Sequence, residues 1–374
     1  MKKCVMVSDS FKGTLSSVDI CDIAKDVFSA LMPECELVCI PVADGGEGSV
    51  DCFTYLGAEE RSVTVADPWG SRIDAHYAVS GIRGIIEMAA AAGLPLVGSR
   101  KNPALTTTYG VGEQIRCAVN DGCTEILLGL GGSATNDGGC GCAAALGTKF
   151  YRSDGSSFVP VGATLNEIAR IDTSESDAFL KNVSITLMCD VTNPLYGKNG
   201  AAYIFAPQKG ADADSVKALD GGLKHLGDLL DEIRPGVSQL PGAGAAGGMG
   251  AGCTALLGAK TVSGIEAVLD AVNFNAKALN ADMVISGEGR LDSQSLNGKV
   301  ISGVAARCSK LSLPLVIIAG CVTDCTPELY SRGVSAVFNT NRACRRMDDI
   351  SLNCREDYAA ALGDVLRLVK SLAK

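Results

Sequence analysis

The sequence predicts an α/β protein of two domains. One is a doubly wound parallel sheet of the Rossmann or flavodoxin type formed by both termini, and the other is an inserted α/β domain with a mixed sheet. Three observations carry that expectation. Apolar, strand-like runs alternate with helix-like stretches at both ends of the chain. Six such runs end in loops rich in glycine, carboxylate and hydroxyl side chains, most of which feed directly into a helix. Two alternating runs, 61–66 and 73–79, flank the turn Asp67, Pro68, Trp69, Gly70 and read as an antiparallel pair, a departure from βαβ winding. The expected division is residues 1–65 plus 281–374 for the discontinuous domain and 66–280 for the insert. At 374 residues, 47% hydrophobic and 20% charged, the chain has material for two full cores.

The elements follow in order. A strand at 3–7 leads to a helix whose apolar residues Ile20, Ala24, Val27, Phe28 and Leu31 recur at helical spacing behind the capping group Ser16, Ser17 and Asp19. A second unit runs from a strand at 36–42 into a helix at 48–56. After the hairpin, buried strand and helix alternate again from about 282, with strands at 283–286, 315–319 and 336–339. Helices are expected at 300–310 and 327–331, and a long one at 358–372. The glycine-rich stretch 241–252 lies near the return crossing and reads as a hinge or a ligand loop. Asp-Gly-Gly occurs at Asp44, Asp137 and Asp220, but the third copy sits within a helical run and is incidental.

Composition narrows the function. A net charge of −9 argues against a nucleic-acid or anionic-membrane partner, so the cations Lys12, Lys209, Arg290 and Lys299, placed in loops, stand out. The 16 cysteines lie mostly inside strand and helix runs and read as reduced, buried apolar side chains; none pairs at zinc-finger spacing, and only His76 and His225 could assist. Both histidines read as structural. No secretory core and no apolar run approaching about 18 residues is found, so a cytoplasmic protein is expected, monomeric or a homodimer.

The six loops have the format of a phosphate site. They are V-S-D-S-F-K-G-T, V-A-D-G-G-E-G, G-G-S-A-T-N-D-G-G, C-D-V-T-N-P-L, S-G-E-G-R-L-D and A-G-C-V-T-D. Ligands of open α/β sheets sit beyond the carboxyl ends of strands, where helix N-termini offer free N–H groups to an anion. The chain does not resemble a Walker-A kinase: around Gly298-Lys299, Ser293 replaces the first glycine and Val300 the hydroxyl. G-x-G-x-x-G occurs at Gly242, Gly244 and Gly247, but it follows Pro235 and Pro241 and no strand, so the dinucleotide reading lacks its context. Phosphoryl transfer needs positioning, cationic stabilisation and a carboxylate to take the attacking hydroxyl's proton. Asp9, Asp44, Asp190, Glu288 and Asp292 supply carboxylates at or beyond strand ends; Lys12, Lys209 and Arg290 supply charge; Ser133, Thr135 and Asn136 supply neutral donors. Structural readings stand beside these. Asp9 with Ser10 fits a helix cap or turn, Asp44 with Glu47 fits turn chemistry around Gly45-Gly46, and Asp190 fits a cap.

Read together, D-S-F-K-G-T-L-S (9–16), P-V-A-D-G-G-E-G (41–48), G-G-S-A-T-N-D-G-G (131–139), C-D-V-T-N-P-L (189–195), P-Q-K-G-A (207–211), P-G-A-G-A-A-G-G (241–248) and G-E-G-R-L-D (287–292) resemble the successive signatures of the bacterial glycerate kinase family, the type that forms 2-phosphoglycerate. The resemblance extends over nearly the whole chain. It implies ATP- and Mg²⁺-dependent phosphorylation of D-glycerate, a two-domain α/β fold and an active site in the cleft between domains. One departure is Tyr196, where a small residue such as cysteine is expected, which bears on pocket shape.

On the matched positions the catalytic assignments are Asp190, Lys12, Asp292 and Arg290. Asp190 is the first choice for general base, with Asp292 and then Asp44 behind it. Substrate and nucleotide binding falls to Asp9, Ser10, Asp44, Gly45, Gly46 and Glu47, to Gly131, Gly132, Ser133, Thr135 and Asn136, and to Asn193, Lys209 and Glu288. Asp44 and Glu288 are the metal candidates, holding Mg²⁺ through ATP. Two other functions stay open on sequence: an NAD(P)-dependent hydroxy-acid oxidoreductase working through 242–247, and a non-catalytic phosphometabolite-binding protein.

Overall fold

The computed structural model describes residues 1–43, 46, 48–292, 295, 300–323, 326–341 and 346–372. The expectations for Asp44, Gly45, Glu47 and Lys299 fall outside them. The strands are β1 (Lys3–Ser8), β2 (Glu36–Pro41), β3 (Glu59–Ala66), β4 (Arg72–Ser80), β5 (Arg83–Glu87), β6 (Glu125–Gly129) and β7 (Lys149–Tyr151). They continue as β8 (Ser157–Phe158), β9 (Arg170–Asp172), β10 (Ser184–Met188), β11 (Lys260–Val262), β12 (Met283–Leu291), β13 (Leu315–Val322) and β14 (Val334–Asn339). The chain divides into two compact units, Met1–Asp44 with Asp51–Leu56 and Ile265–Lys374, and Gly45–Val50 with Gly57–Gly264.

The first unit holds a five-stranded sheet in the order β14-β13-β12-β1-β2, with every pairing parallel. This is the flavodoxin-type order, in which the chain steps from β1 outward to β2 and later resumes on the other side of β1 at β12. The switch point therefore lies beyond the carboxyl ends of β1 and β12. Strands buried on both faces read as continuous apolar runs, as Cys4, Val5, Met6 and Val7 do. The first helix, Ser17–Leu31, starts at a full capping box: Ser16 Oγ accepts from Asp19 N at 3.0 Å, and Asp19 Oδ2 accepts from Ser16 N at 3.1 Å. Such a cap stabilises by about 1 kcal/mol. Its apolar face, with Ile20, Ala24 and Phe28, packs into a core shared with Met6, Ile285, Ile318 and Tyr358. Phe11 meets Tyr358 edge to face, ring centroids 5.5 Å apart.

The second unit is built on a six-stranded mixed sheet, β11-β10-β6-β5-β4-β3. β3, β4 and β5 are antiparallel neighbours, while β5, β6, β10 and β11 run parallel. A small antiparallel sheet, β8-β7-β9, stands apart from it. The core gathers Ile86, Leu128 and Leu187 from the large sheet with Ile115, Leu226 and Met249 from helices.

Several boundaries differ from the sequence expectation. β3 pairs with β4 along its whole length from Glu59, so it joins the second unit, whose main segment begins at Gly57. The helix Gly264–Ala271 groups from Ile265 with the first unit. The last helix starts at Met347, eleven residues before the expected 358; Asp348, Asp349, Ser351, Asn353, Arg355, Glu356 and Asp357 make its first turns mostly polar. Cys321, at the end of β13, is exposed while most described cysteines are buried or half-buried. No helix among the described residues is long and apolar enough to cross a membrane.

Candidate active site

The sequence-derived site residues fall into two groups, one in each unit. In the first unit they gather at the switch point. The register sets Ser8 beside Gly287, and Asp9 N donates to Gly287 O at 3.0 Å, so Asp9 leaves β1 next to Glu288 on β12. Asp9 Oδ1 accepts from Ser10 N, the amide of the next residue, at 2.7 Å, which orients the carboxylate. Glu288 is buried, 6% exposed. Residues 11–15 then close a tight turn in which Phe11 N donates to Leu15 O at 2.8 Å, with Lys12 exposed on it and Gly13 at φ +84°. A Cβ on Gly289 would lie 3.1 Å from Phe11 Cα, so glycine lets this turn lie close on β12. Arg290 and Asp292 follow as an ion pair at 3.4 Å, with the arginine 70% exposed. Exposed pairs of this kind contribute about 0–1 kcal/mol.

In the second unit the group forms beyond β6 and β10, parallel neighbours whose ends meet at Gly129 and Met188. The loop 131–139 leaves β6 and lies close to the backbone of Gly46, in the same unit: a Cβ on Gly131 would lie 2.7 Å from Gly46 Cα. Gly132, Gly138 and Gly139 have φ of +74°, +63° and +75°, conformations that favour glycine. Asp137 ties the loop down. Its Oδ2 accepts from Thr108 N and Thr108 Oγ1, both at 2.8 Å, and from Gly141 N at 3.3 Å, while Oδ1 accepts from Gly139 N at 3.1 Å. Burial still pushes its carboxyl above the ordinary range, against those hydrogen bonds.

Ser133 is 7% exposed, and the side chains of Thr135 and Asn136 are fully buried. Thr135 Oγ1 and both polar atoms of the Asn136 carboxamide have no hydrogen-bond partner among the described residues. Lys209, sought as a loop cation, is instead 2% exposed. Its Nζ donates to Ser133 Oγ and to Thr135 O, each at 2.7 Å. Burial lowers the amine from its ordinary value to about 7, with Asp137 opposing the shift.

Asp190 stands two residues beyond β10. Its Oδ1 accepts from Ser263 Oγ and Gly264 N, both at 2.9 Å, at the start of the helix Gly264–Ala271. The cap reading and the base reading thus meet in one carboxylate. Asn193 serves the loop it sits in, donating through Nδ2 to Asn199 O at 2.7 Å and accepting from Gly244 N at 2.9 Å on its own carbonyl.

The stretch 241–252 is a packing platform. A Cβ on Gly247 would lie 2.1 Å from Thr135 O, one on Gly252 1.9 Å from Gly138 O, and one on Gly244 2.3 Å from Pro194 O. Gly247 O also accepts from Gly138 N at 3.0 Å. It runs into the helix Ala245–Leu256 after a short 3₁₀ turn at Val237–Gln239 and no strand, so its glycines press against the 131–139 loop.

Sequence reasoning missed three contributors. Glu87, at the end of β5, accepts from Val50 N at 2.7 Å through Oε1. Thr108 shares Asp137, and Ser263 orients Asp190. Asp137 had a signal, since it lies inside the glycine-rich motif; the other partners are set by contacts far apart in sequence. His76 pairs with Glu60 at 3.0 Å and His225 Nε2 bonds Ile168 O at 2.7 Å.

Comparison with known proteins places the chain in a family. A model of the "Glycerate kinase family" matches residues 4–370. The chain is 40% identical over 376 residues to the glycerate 2-kinase of Escherichia coli (strain K12), covering 99% of this chain and 97% of that protein. It is 43% identical over 342 residues to a glycerate kinase of Bacillus cereus, covering 90% of each. A crystal structure assigned as glycerate kinase 2 from Salmonella typhimurium LT2 superposes with a TM-score of 0.89 at 38% identity, covering 99% of this chain and 98% of that one. The chain is therefore an enzyme of the glycerate kinase family.

Proposed function

We propose that this enzyme is a glycerate 2-kinase, transferring the γ-phosphoryl group of ATP to the C2 hydroxyl of D-glycerate and releasing 2-phosphoglycerate and ADP. The observation that carries the reading is the near full-length match to the Escherichia coli relative, together with the family's motifs lying at strand ends in both units. The two groups include what phosphoryl transfer requires: fixed carboxylates and N–H groups at the mouths of glycine-rich turns in both, and exposed cations at Lys12 and Arg290 in the first. Asp190 is the base, its oxygen oriented by Ser263 and Gly264 so that the carboxylate meets the attacking hydroxyl in one fixed direction. Asp9 and Ser10 hold the nucleotide end, and Ser133, with the backbone of Gly131 and Gly132, holds an anionic group of the substrate.

Mg²⁺ fits the oxygen donors at the switch point. Asp9 and Glu288 stand on adjacent strands there, and among the described residues no three His, Cys, Asp or Glu side chains converge into an all-protein cage. Mg²⁺ keeps waters and binds through one or two carboxylates plus phosphate oxygens, so Glu288, Asp9 and Asp44 are the residues to hold it. When bound it neutralises charge on the transferring phosphates. A cytoplasmic location and a monomer or homodimer complete the reading, with no nucleic-acid partner, as the net charge of −9 supports.

An ADP-release assay over a panel of three- and four-carbon hydroxy acids tests it. ADP formation with glycerate is the expected result. Nicotinamide absorbance changes with a hydroxy acid, or tight binding of glycerate without turnover, would overturn it.

A further inference from the structure

Lys209 and Ser133 form a pair whose geometry fixes the direction of one hydroxyl. Lys209 ends the 3₁₀ turn Pro207–Lys209, which closes at Gly210 with φ +97°. A Cβ on Gly210 would lie 2.6 Å from Lys101 Cβ, and Lys101 Nζ donates to Gln208 O at 3.3 Å, so the turn is wedged in place and its lysine has one way to point. The amine is enclosed and delivers N–H donors to Ser133 Oγ and Thr135 O at 2.7 Å each. A protonated lysine side chain is a donor only. Its bond therefore occupies a lone pair of Ser133 Oγ and turns the hydroxyl proton away from the amine. Among the described residues that proton meets no acceptor, while Ser133 keeps 7% of its surface accessible in the glycine-rich loop. A hydroxyl held in this way is a donor waiting for an anionic oxygen. Lys209, at 2% exposure, presents almost no surface of its own.

We propose that Lys209 is a positioning residue which, by donating to Ser133 Oγ, commits the Ser133 hydroxyl to donate to an anionic oxygen of the bound substrate, either the hydroxy-acid carboxylate or a nucleotide phosphate. The direction belongs to the protonated amine: a neutral amine would carry a lone pair able to accept from the Ser133 hydroxyl. The proposal rests on the kinase reading for the identity of the substrates, but the direction of the Ser133 hydroxyl does not.

The test is a double-mutant cycle on the full chain with Ser133→Ala, Lys209→Met and the pair together, plus Lys209→Gln, which keeps an N–H donor. ADP release gives kcat and KM for D-glycerate and for ATP, and calorimetry gives the affinity of each protein for the two ligands separately. Losing one hydrogen bond to a charged group corresponds to roughly a 10- to 100-fold loss in kcat/KM or affinity. Ser133→Ala and Lys209→Met should each show it toward the same ligand, the double variant should lose no more than the worse single one, and Lys209→Gln should recover part of the loss. Weakening confined to glycerate assigns the hydroxyl to the carboxylate, and weakening confined to ATP assigns it to a phosphate. Independent losses that multiply in the double variant would overturn the proposal by showing direct contact from both residues. A Lys209→Met protein with a lowered melting temperature but wild-type kcat/KM and affinities would overturn it by showing a purely structural lysine. Should the wild type bind both ligands but release no ADP, the kinase reading fails while the affinity arm still decides the pair; should it bind neither ligand, both fall.

Discussion

Asp190 leaves β10 with one carboxylate oxygen already engaged by Ser263 and Gly264, and this tether separates its two roles experimentally. Asparagine retains an Oδ1 acceptor for both donors but cannot take a proton, so Asp190→Asn should leave the melting temperature near that of wild type. If Asp190 is the base, kcat should fall about 10²- to 10⁴-fold, or roughly 3–5 kcal/mol of barrier. A kcat within about threefold of wild type would make Asp190 a cap alone and move the base to Asp292 or Asp44. Lys209 supplies a stability test with a definite sign. Its folded-state amine titrates at about 7, below the ordinary value of 10.5, so between these pH values the unfolded chain binds more protons than the folded one. Stability from this group is therefore lowest below pH 7 and rises as pH climbs toward 10.5. Urea unfolding should show the wild type gaining on Lys209→Met between pH 7 and pH 9.5, and a flat or falling difference would contradict the buried-amine assignment. The sequence marked these residues as candidates, because they are carboxylates and a lysine in glycine-rich or turn segments that follow apolar runs. What lies opposite them was not: P-Q-K-G announces a turn, but only the packing of 207–210 against Lys101 aims the lysine into the 131–137 loop.

At the scale of elements, glycine has opposite consequences in two helices. Gly247 lies at φ +68° with space for no Cβ, its nearest would-be neighbour being Thr135 O at 2.1 Å. Gly247→Ala should shift the platform beneath the Ser133 loop and destabilise by more than about 1 kcal/mol, with activity falling as well. Gly221 sits in the helix Ala213–Ile233 with nothing within 4 Å of a would-be Cβ. Gly221→Ala should stabilise by about 0.5–1 kcal/mol and leave kcat unchanged, since alanine costs less backbone entropy in a helix. Thermal melts and ADP release on both variants check the contrast; equal shifts would mean that the glycine platform is not a close-packed support. The G-x-G-x-x-G pattern shows why local motifs need context. Its missing strand weighed against a dinucleotide turn in the sequence, yet its contact with Thr135 and Gly138 spans over a hundred residues and leaves no local trace. The final helix was read short for a related reason: the residues from Met347 to Asp357 are mostly polar, and periodicity shows where apolar positions are dense.

For the whole molecule, the alternation of apolar strands and helices at both termini was enough to name an α/β fold with one parallel and one mixed sheet, because strands covered on both faces must be apolar throughout. The limits of the units were less legible. β3 is largely exposed along its first half, with the pattern Glu59, Glu60, Arg61 and Ser62, so its place at the edge of the six-stranded sheet follows from pairing with β4 and not from hydrophobicity. Function reaches this scale through the family, whose motifs occupy strand ends in both units, and its sharpest consequence is the position of the new phosphate ester. Phosphorus NMR of the product made from D-glycerate with ATP and Mg²⁺ tests that most directly. The expected spectrum shows 2-phosphoglycerate accumulating as ADP appears, whereas 3-phosphoglycerate as the sole ester, or no ester and no ADP, would contradict assignment of the chain as a glycerate 2-kinase.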